Sequence, residues 1–450
     1  MCLRRNKYFF VFLTAVISTP AMAQTTTSYS NPINGRDNNP YSKYGLGELL
    51  NGNNVAMRGA GNATSAYANG YTINTDNPAS YSLLERTTFE LGGVASTRNT
   101  TGSINGNPQS YRTGTASIAY MTMAVPVTRH GGLSFGFRPY ARTYYSLRDT
   151  ISSGTTPPSP IDSAEMIYKG EGSLNYAFIG GSVRVKGLSA GFNFGYLFGN
   201  TYNSTQLNPY DYTNATRSYV SEYSTQTRTG GIMWKGGLMY TAKLDSFITL
   251  RVGGSISLSQ KINQHFTEYH ISGYNFGDTV IRDTAYFQPE TKGKLTLPTS
   301  YSGGFMLSKE NKWAIMADYS ATQWSEFNSD LNSHMNRNIA ASSYKMSLGT
   351  EYIPDVNDVK HILSRCTYRL GGYYGTDYIT PSATTLNYYG VTAGMTLPFR
   401  RFQTQMSYLH AAVDVGRLGT TDNGLMQQNY VRFSIGFSMT SKWFERAKYQ

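Results

Sequence analysis

Apolar and polar positions alternate along most of this chain. In 187–198, one face carries Leu188, Ala190, Phe192, Phe194, Tyr196 and Phe198, and the other Ser189, Gly191, Asn193 and Gly195. Segment 248–258 sets Ile248, Leu250, Val252, Ile256 and Leu258 against Thr249, Arg251, Gly253, Ser255 and Ser257. The same division holds in 344–352 and 430–440. A period of two over such lengths predicts strands with one apolar face. Strands of a soluble sandwich have a mode of about 5–6 residues, whereas a tilted membrane strand needs roughly 9–11. The longer pattern predicts fourteen strands, near 86–98, 111–128, 131–149, 164–184, 187–202, 216–243, 246–269, 282–308, 311–327, 338–354, 366–376, 386–398, 401–414 and 428–440. Connections after even-numbered strands are short, such as Lys186-Gly187, with 355–365 the longer exception. Those after odd-numbered strands, such as 99–110, 203–215 and 415–427, are expected to be long polar loops. This asymmetry, with an even count, is that of an all-β, transmembrane antiparallel β-barrel of the outer-membrane type.

The first 85 residues lack this rhythm. Arg4, Arg5 and Lys7 precede a mostly apolar run from Tyr8 to Ser18, and Ala21-Met22-Ala23 precedes Gln24. That order predicts a signal peptide over 1–23, with a run too short to span a bilayer as a helix, which takes roughly 20 residues. Export by this route, together with the alternating strands, is expected to place the mature chain in the outer membrane of a Gram-negative cell. Residues 24–85 contain Asn31-Pro32, Asn39-Pro40 and Asn77-Pro78 among frequent glycines, a turn-rich composition. Their Ala, Met, Tyr and Leu content is too high for a solvated tether, so the segment is expected to form a compact plug, or hatch, inside a barrel over 86–440. Residues 441–450 would form a periplasmic tail.

Composition fits this layout. The chain has 37 Tyr, 21 Phe and 45 Gly, yet only 40% hydrophobic residues. Mean hydropathy stays low when lipid-facing and lumenal residues alternate. After cleavage Cys366 would be the single cysteine, which excludes an intramolecular disulfide. The net charge of +12 is dispersed, which argues against a nucleic-acid partner. Gly187-Leu188-Ser189-Ala190-Gly191 matches a G-x-S-x-G pattern, but that pattern needs a strand-to-helix turn and here lies within a strand. His130, His265, His270, His334, His361 and His410 show no metal-ligand spacing, and His265 and His270 are expected in solvated loops. These features predict neither an enzyme nor a cofactor or metal site.

Charges on the polar faces matter more. In the third strand Ser134, Gly136, Arg138, Tyr140, Arg142 and Tyr144 share one face. Arg251 and Arg432 also fall on polar faces. A lumenal position spares Arg or Lys the ~2–4 kcal/mol cost of facing lipid at the midplane. Such residues are expected to pair with carboxylates such as Glu351 or with hatch groups, or to attract an anionic headgroup. Pro139 removes a ladder donor and predicts an edge or bulge.

"PYSKYGLGEL", "MRGAGNA", "NPASYSLL" and "TTFELGG", in that order, resemble the N-terminus of the FadL family of outer-membrane transporters in its Bacteroidota form. "LSFGFRPYARTYY", "YKGEGSLNYAFIGGSVRVKGLSAGFNFGYLFG", "LTLPTSYSGG", "KWAIMADYSATQWS" and "KWFERAKYQ" extend the resemblance over most of the chain. It implies a fourteen-stranded barrel with an N-terminal lumenal hatch, whose motif would be Asn77, Pro78 and Ala79. It also implies an inward kink of the third strand, which Pro139 would mark, and a ligand path past Arg138 and Arg142. The implied function is passive, hatch-gated uptake of a hydrophobic or amphipathic small molecule, with outer-membrane lipid as the other partner. The alternative is a FadL-like barrel acting as a protein-binding scaffold or cargo shuttle in type IX secretion, with secretion-system proteins as partners.

Overall fold

A computed structural model describes residues 38–104, 107–152, 161–211, 217–276, 279–332, 334–358, 360–402 and 405–443. The signal peptide, residues 24–37 of the N-terminal segment and 444–450 of the tail lie outside the described residues. All described residues belong to the compact unit Gly35–Gln450.

Fourteen wall strands follow one another in chain order. They are β1 (Thr87–Ile104), β2 (Asn107–Thr128), β3 (Gly131–Ser152), β4 (Ile161–Val185), β5 (Leu188–Asp211), β6 (Arg217–Lys243) and β7 (Ile248–Ser257 with Gln260–Phe276). Then come β8 (Thr279–Leu297 with Ser300–Lys309), β9 (Trp313–Thr322 with Asn328–Ser329), β10 (Ser343–Tyr352), β11 (Thr367–Thr376), β12 (Asn387–Phe402), β13 (Gln405–Leu418) and β14 (Gln427–Ser441). The two pieces of β7 both pair with β6, so each interrupted strand is one wall element. Each strand pairs antiparallel with the next, and β14 closes on β1 from Gln427–Thr101 to Ser441–Thr87. Closure joins the last strand to the first, so neither is left as an open terminal edge, as a bilayer demands.

Burial is inside-out relative to a soluble protein. Leu188, Phe192, Phe194, Tyr196 and Phe198 are exposed, whereas Ser189 and Asn193 of the alternate face are buried. On β10, Leu348 is 65% exposed and Ser347 only 4%. On β14, Phe433, Ile435 and Met439 point outward while Ser434, Ser438 and Thr440 are buried. The apolar face is therefore the outer one, which is the arrangement of a barrel that meets lipid.

Three expected loops require correction. Segments 99–110 and 203–215 are largely strand: β1 and β2 pair up to Ile104–Asn107, and β5 continues to Asp211. Most of 270–281, the interval between the expected strands 246–269 and 282–308, likewise belongs to β7 and β8. Rows of Thr, Ser, Asn and Tyr sustain extended backbone without an apolar face, so amphipathic alternation ends before the ladder does. His265 and His270 thus lie on a strand, bonded to Glu290 at 2.6 Å and Glu268 at 2.8 Å respectively. The rim is uneven in consequence. β4–β8 are far longer than the roughly 9–11 residues a bilayer crossing takes, whereas β10 and β11 have ten residues each.

Residues 38–86 fold as short turns rather than regular elements: Pro40–Lys43 and Pro78–Leu83 are 3₁₀ turns, Val55–Gly59 is one helical turn, and Glu48–Leu49 is a two-residue strand. An asparagine caps each turn. The side chains of Asn39, Asn54 and Asn77 accept from the backbone N–H groups of Tyr41, Ala56 and Ala79, satisfying donors that a helix start leaves open. In Asn39-Pro40 and Asn77-Pro78 the proline occupies the first turn position, where its missing N–H costs nothing. Val55, Met57, Tyr67, Ile73, Ala79 and Tyr81 are buried. The segment bonds to distant parts of the ring. Gly61 N–H donates to Thr392 of β12 at 2.8 Å, Ser65 N–H to Asp318 of β9 at 2.6 Å, and Asn193 of β5 donates to the Thr75 carbonyl at 3.1 Å. It therefore lies within the wall.

Candidate functional site: the lumen and a gap in its wall

The ladder between β2 and β3 is incomplete. It runs from Thr128–Gly131 to Met121–Phe137 and stops. On its other edge β3 pairs with β4 as far as Ser152–Ser163, with one register shift between Pro139 and Ala141. Pro139 sits two residues past the last β2–β3 pair. Its nitrogen has no proton to continue that ladder. Beyond it, β3 takes partners from the N-terminal segment. Arg142 and Ala141 pair with Glu48 and Leu49. Leu50 N–H donates to the Tyr140 carbonyl at 2.9 Å, and Asn39 N–H to that of Tyr144 at 3.0 Å. The result is a gap in the wall, and a cavity of about 110 Å³ there is bordered by Ser117, Ile118, Pro139, Glu48 and Arg142. Just below, an apolar groove of about 510 Å³ on the outer surface begins at Met121 and Phe137 and includes Phe135, Ile179, Phe194 and Ile232.

Arg138 and Arg142 point to the lumen and meet the N-terminal segment. Glu48 and Asp76 are the only acidic residues in 38–84, and each engages one of these arginines. Arg138 lies 3.2 Å from Asp76, which Lys235 also approaches at 3.5 Å. Glu48 gathers Arg98 at 2.6 Å, Arg432 at 3.6 Å and Arg142 at 3.7 Å. Arg142 also donates to Thr115 Oγ1 at 3.1 Å. Burial alone would raise the Glu48 carboxyl, but Arg98, Arg432 and Arg142 outweigh it and hold it down at about 2. Asp76 likewise stays well below the ordinary carboxylate range: burial opposes its charge, and Lys235 and Arg138 overcome that. Sequence reasoning missed both carboxylates. Their signal is their scarcity in a segment facing two inward arginines.

Arg251 and Arg432 meet groups of the N-terminal segment or other carboxylates, and Glu351 pairs elsewhere. Glu351 binds Arg369 at 2.6 Å and accepts from the Tyr67 hydroxyl at 3.0 Å. Arg251 donates to the Ala68 carbonyl at 2.9 Å, and Arg432 adds Asp414 at 3.3 Å.

Asn77, Pro78 and Ala79 are buried against β5, β6 and β7. The Asn77 amide donates to the carbonyls of Ser65 at 2.5 Å and Leu238 at 3.2 Å, while its oxygen accepts from Ala79 N–H at 3.1 Å. Three wall glycines make room. A Cβ on Gly191 would overlap the Pro78 backbone, on Gly237 the Asn77 side chain, and on Gly253 the Ser65 carbonyl. Gly191 belongs to the G-x-S-x-G match, whose Ser189 accepts from Ser82 at 3.0 Å on an ordinary strand. The pattern thus serves close packing.

A protein-family model described as BamG matches residues 6–450. The chain belongs to the BamG family. No curated protein sequence matches it. Among solved structures, the CymD monoaromatic hydrocarbon channel aligns with a TM-score of 0.55 at 12% identity over 89% of this chain and 100% of that one. The Pseudomonas putida toluene transporter TodX aligns at 0.52, 15%, 90% and 99%, and a Pseudomonas aeruginosa FadL homologue at 0.52, 13%, 88% and 99%. These likenesses establish that this BamG-family chain has the FadL-type outer-membrane barrel fold.

Proposed function

We propose that this protein is an outer-membrane channel for passive uptake of a hydrophobic or amphipathic small molecule, in which residues 38–86 act as the hatch. The observation that carries the reading is the β2–β3 gap, with β3 diverted at Pro139 onto Glu48–Leu49. An apolar solute lowers its free energy by leaving sideways into lipid rather than through water, and the gap faces that way. The apolar groove at Phe137 and Met121 would receive it. The solved channels of the same fold support the class of cargo: one is described as a monoaromatic hydrocarbon channel and another as a toluene transporter. In this scheme Asn77, Pro78 and Ala79 anchor the hatch. Arg138 and Arg142 line the path and fasten the hatch through Asp76 and Glu48, so a ligand reaches them when those pairs part. We further propose export by the signal sequence 1–23, on its charge, apolar run and Ala21-Met22-Ala23, and a Bacteroidota-type member, on the order of the matching segments.

The test is uptake of labelled toluene and of a long-chain fatty acid by cells carrying the protein or Ser117→Trp, which fills the gap border. Lower uptake with normal barrel assembly is expected. Unchanged uptake by the assembled variant would sink the side-exit route.

The density of hatch contacts favours a second reading. Any path through the lumen must displace a segment that is almost wholly buried from Asn53 to Leu84 and bonded around the ring. A permanently closed barrel would suit a protein-binding scaffold for type IX secretion cargo. Absence of uptake by the native protein, together with stoichiometric co-purification of a secreted protein, would favour that role.

A further inference from the structure

A second lumenal cavity, of about 560 Å³, lies between Ser42–Leu46, the inner faces of β3–β6 and the connection after β9. Its size is that of a small-molecule site, but its lining differs from that of an apolar solute pocket. β5 contributes Thr201, Asn203 and Thr205 at alternate positions, and β6 contributes Thr225, Thr227 and Thr229. The spacing of two sends each set to one face, so the cavity wall is a double row of hydroxyl and amide groups. Each hydroxyl can donate and accept.

Thr227 is 3% exposed, and its hydroxyl oxygen has no hydrogen-bond partner among the described residues. A buried hydroxyl in that state is unfavourable unless something enters to bond it. Tyr145, Tyr168 and Tyr223 add aromatic surface. The Tyr145 hydroxyl donates to Asn203 Oδ1 at 3.0 Å and so fixes that amide. Lys43 lies 4.1 Å above the Tyr168 ring, and Arg337 also belongs to the lining. No Asp or Glu is among the described lining residues. Glu268, nearby on β7, is bonded to His270 at 2.8 Å.

We propose that this cavity binds an acidic saccharide. A polyol supplies donors and acceptors in the density that the threonine rows require. The apolar C–H face of a sugar ring suits a tyrosine ring, which is apolar in body and polar at its tip. Lys43 and Arg337, without a lining carboxylate, select a ligand with a carboxylate or phosphate. A hydrocarbon would leave the Thr227 hydroxyl unbonded and is disfavoured here. The sugar can be free or the headgroup of a membrane glycolipid. Binding requires no passage through the wall, so the inference is independent of the uptake reading.

The experiment is calorimetric titration of the full-length protein, in a detergent without a sugar headgroup, with trigalacturonate, its neutral methyl ester and lipopolysaccharide. Saturable binding of trigalacturonate or lipopolysaccharide is expected, and loss of the acid charge should weaken trigalacturonate about tenfold. Thr227→Val should weaken it about three- to tenfold and Arg337→Met about tenfold. Trigalacturonate binding assigns the site to a free sugar, and binding of lipopolysaccharide alone assigns it to a glycolipid headgroup. The inference is overturned if neither binds a protein shown to be folded by circular dichroism and heat-modifiable gel mobility. It is equally overturned if Thr227→Val and Arg337→Met bind the acid as the native protein does. Failure of toluene and fatty-acid uptake would leave it standing.

Discussion

At the residue scale, Asn77 joins the local turn to the wall. One side chain caps Pro78–Leu83 and donates to two carbonyls, one of them on β6. Asn77→Ala removes a cap worth ~1 kcal/mol and leaves a buried carbonyl unpaired, at about 1–3 kcal/mol. The N-terminal segment should loosen while the wall stays paired. Proteinase K should then cleave within 53–84 of the assembled variant much faster than in the native barrel; equal rates would remove the anchoring role. Gly191→Val should have the same effect from the opposite side, since its side chain would occupy the space of Pro78. The asparagine was legible as a turn residue because Asn-Pro restricts its own backbone. The glycines were not legible as a seat for it, because their role depends on strands five, six and seven meeting one turn. Glu48 and Asp76 were invisible for the same reason: each finds its arginines across more than forty residues of chain.

Between the N-terminal segment and the wall, the decisive element is β3. Its upper half exchanges a wall partner for the Glu48–Leu49 strand, and Glu48 holds three guanidiniums at that junction. Glu48→Gln would leave those charges facing one another, and docking should weaken by on the order of 2 kcal/mol, below the ~3–5 kcal/mol of a fully buried broken pair because a cavity adjoins it. Hydrogen exchange at Glu48–Leu49 and Ala141–Arg142 should accelerate about tenfold or more; no change would mean that backbone pairing alone holds the junction. A pH dependence follows from the same cluster. The Glu48 carboxyl is held at about 2 in the folded state, below the ordinary glutamate value of about 4.3. Its contribution is therefore complete above that ordinary value and fades as pH falls toward 2. Exchange at these amides, corrected for intrinsic rates, should be flat from pH 8 to 5 and rise in acid, and Glu48→Gln should abolish that rise. The wall elements themselves were readable, because one lipid-facing side imposes a period of two. Their upper ends were not: above the bilayer both faces of β5 to β8 meet water or the vestibule, and no apolar side marks the strand.

For the whole molecule, the unequal strands fix how the barrel should sit. Lys309 and Leu363 lie at the barrel end where most connections are short, Leu363 in the one longer connection, and this is the side expected to face the periplasm. Ala285 lies far along β8 from Lys309, at more than twice the roughly 9–11 residues of a membrane crossing, and is exposed. Leu348, 65% exposed on the ten-residue β10, belongs to the lipid-facing band. Cysteine labelling separates these three environments with little background, since Cys366 is buried and Cys2 would leave with the signal sequence. On intact cells a membrane-impermeant maleimide should label Ala285→Cys and spare both Leu348→Cys and Leu363→Cys. Permeabilising the outer membrane should expose Leu363→Cys, and Leu348→Cys should stay protected until the bilayer is dissolved. Labelling of Leu363→Cys but not Ala285→Cys from outside would invert the barrel. Equal labelling at all three positions would mean that its apolar outer face never meets lipid, which would end the membrane assignment together with the side exit that depends on it.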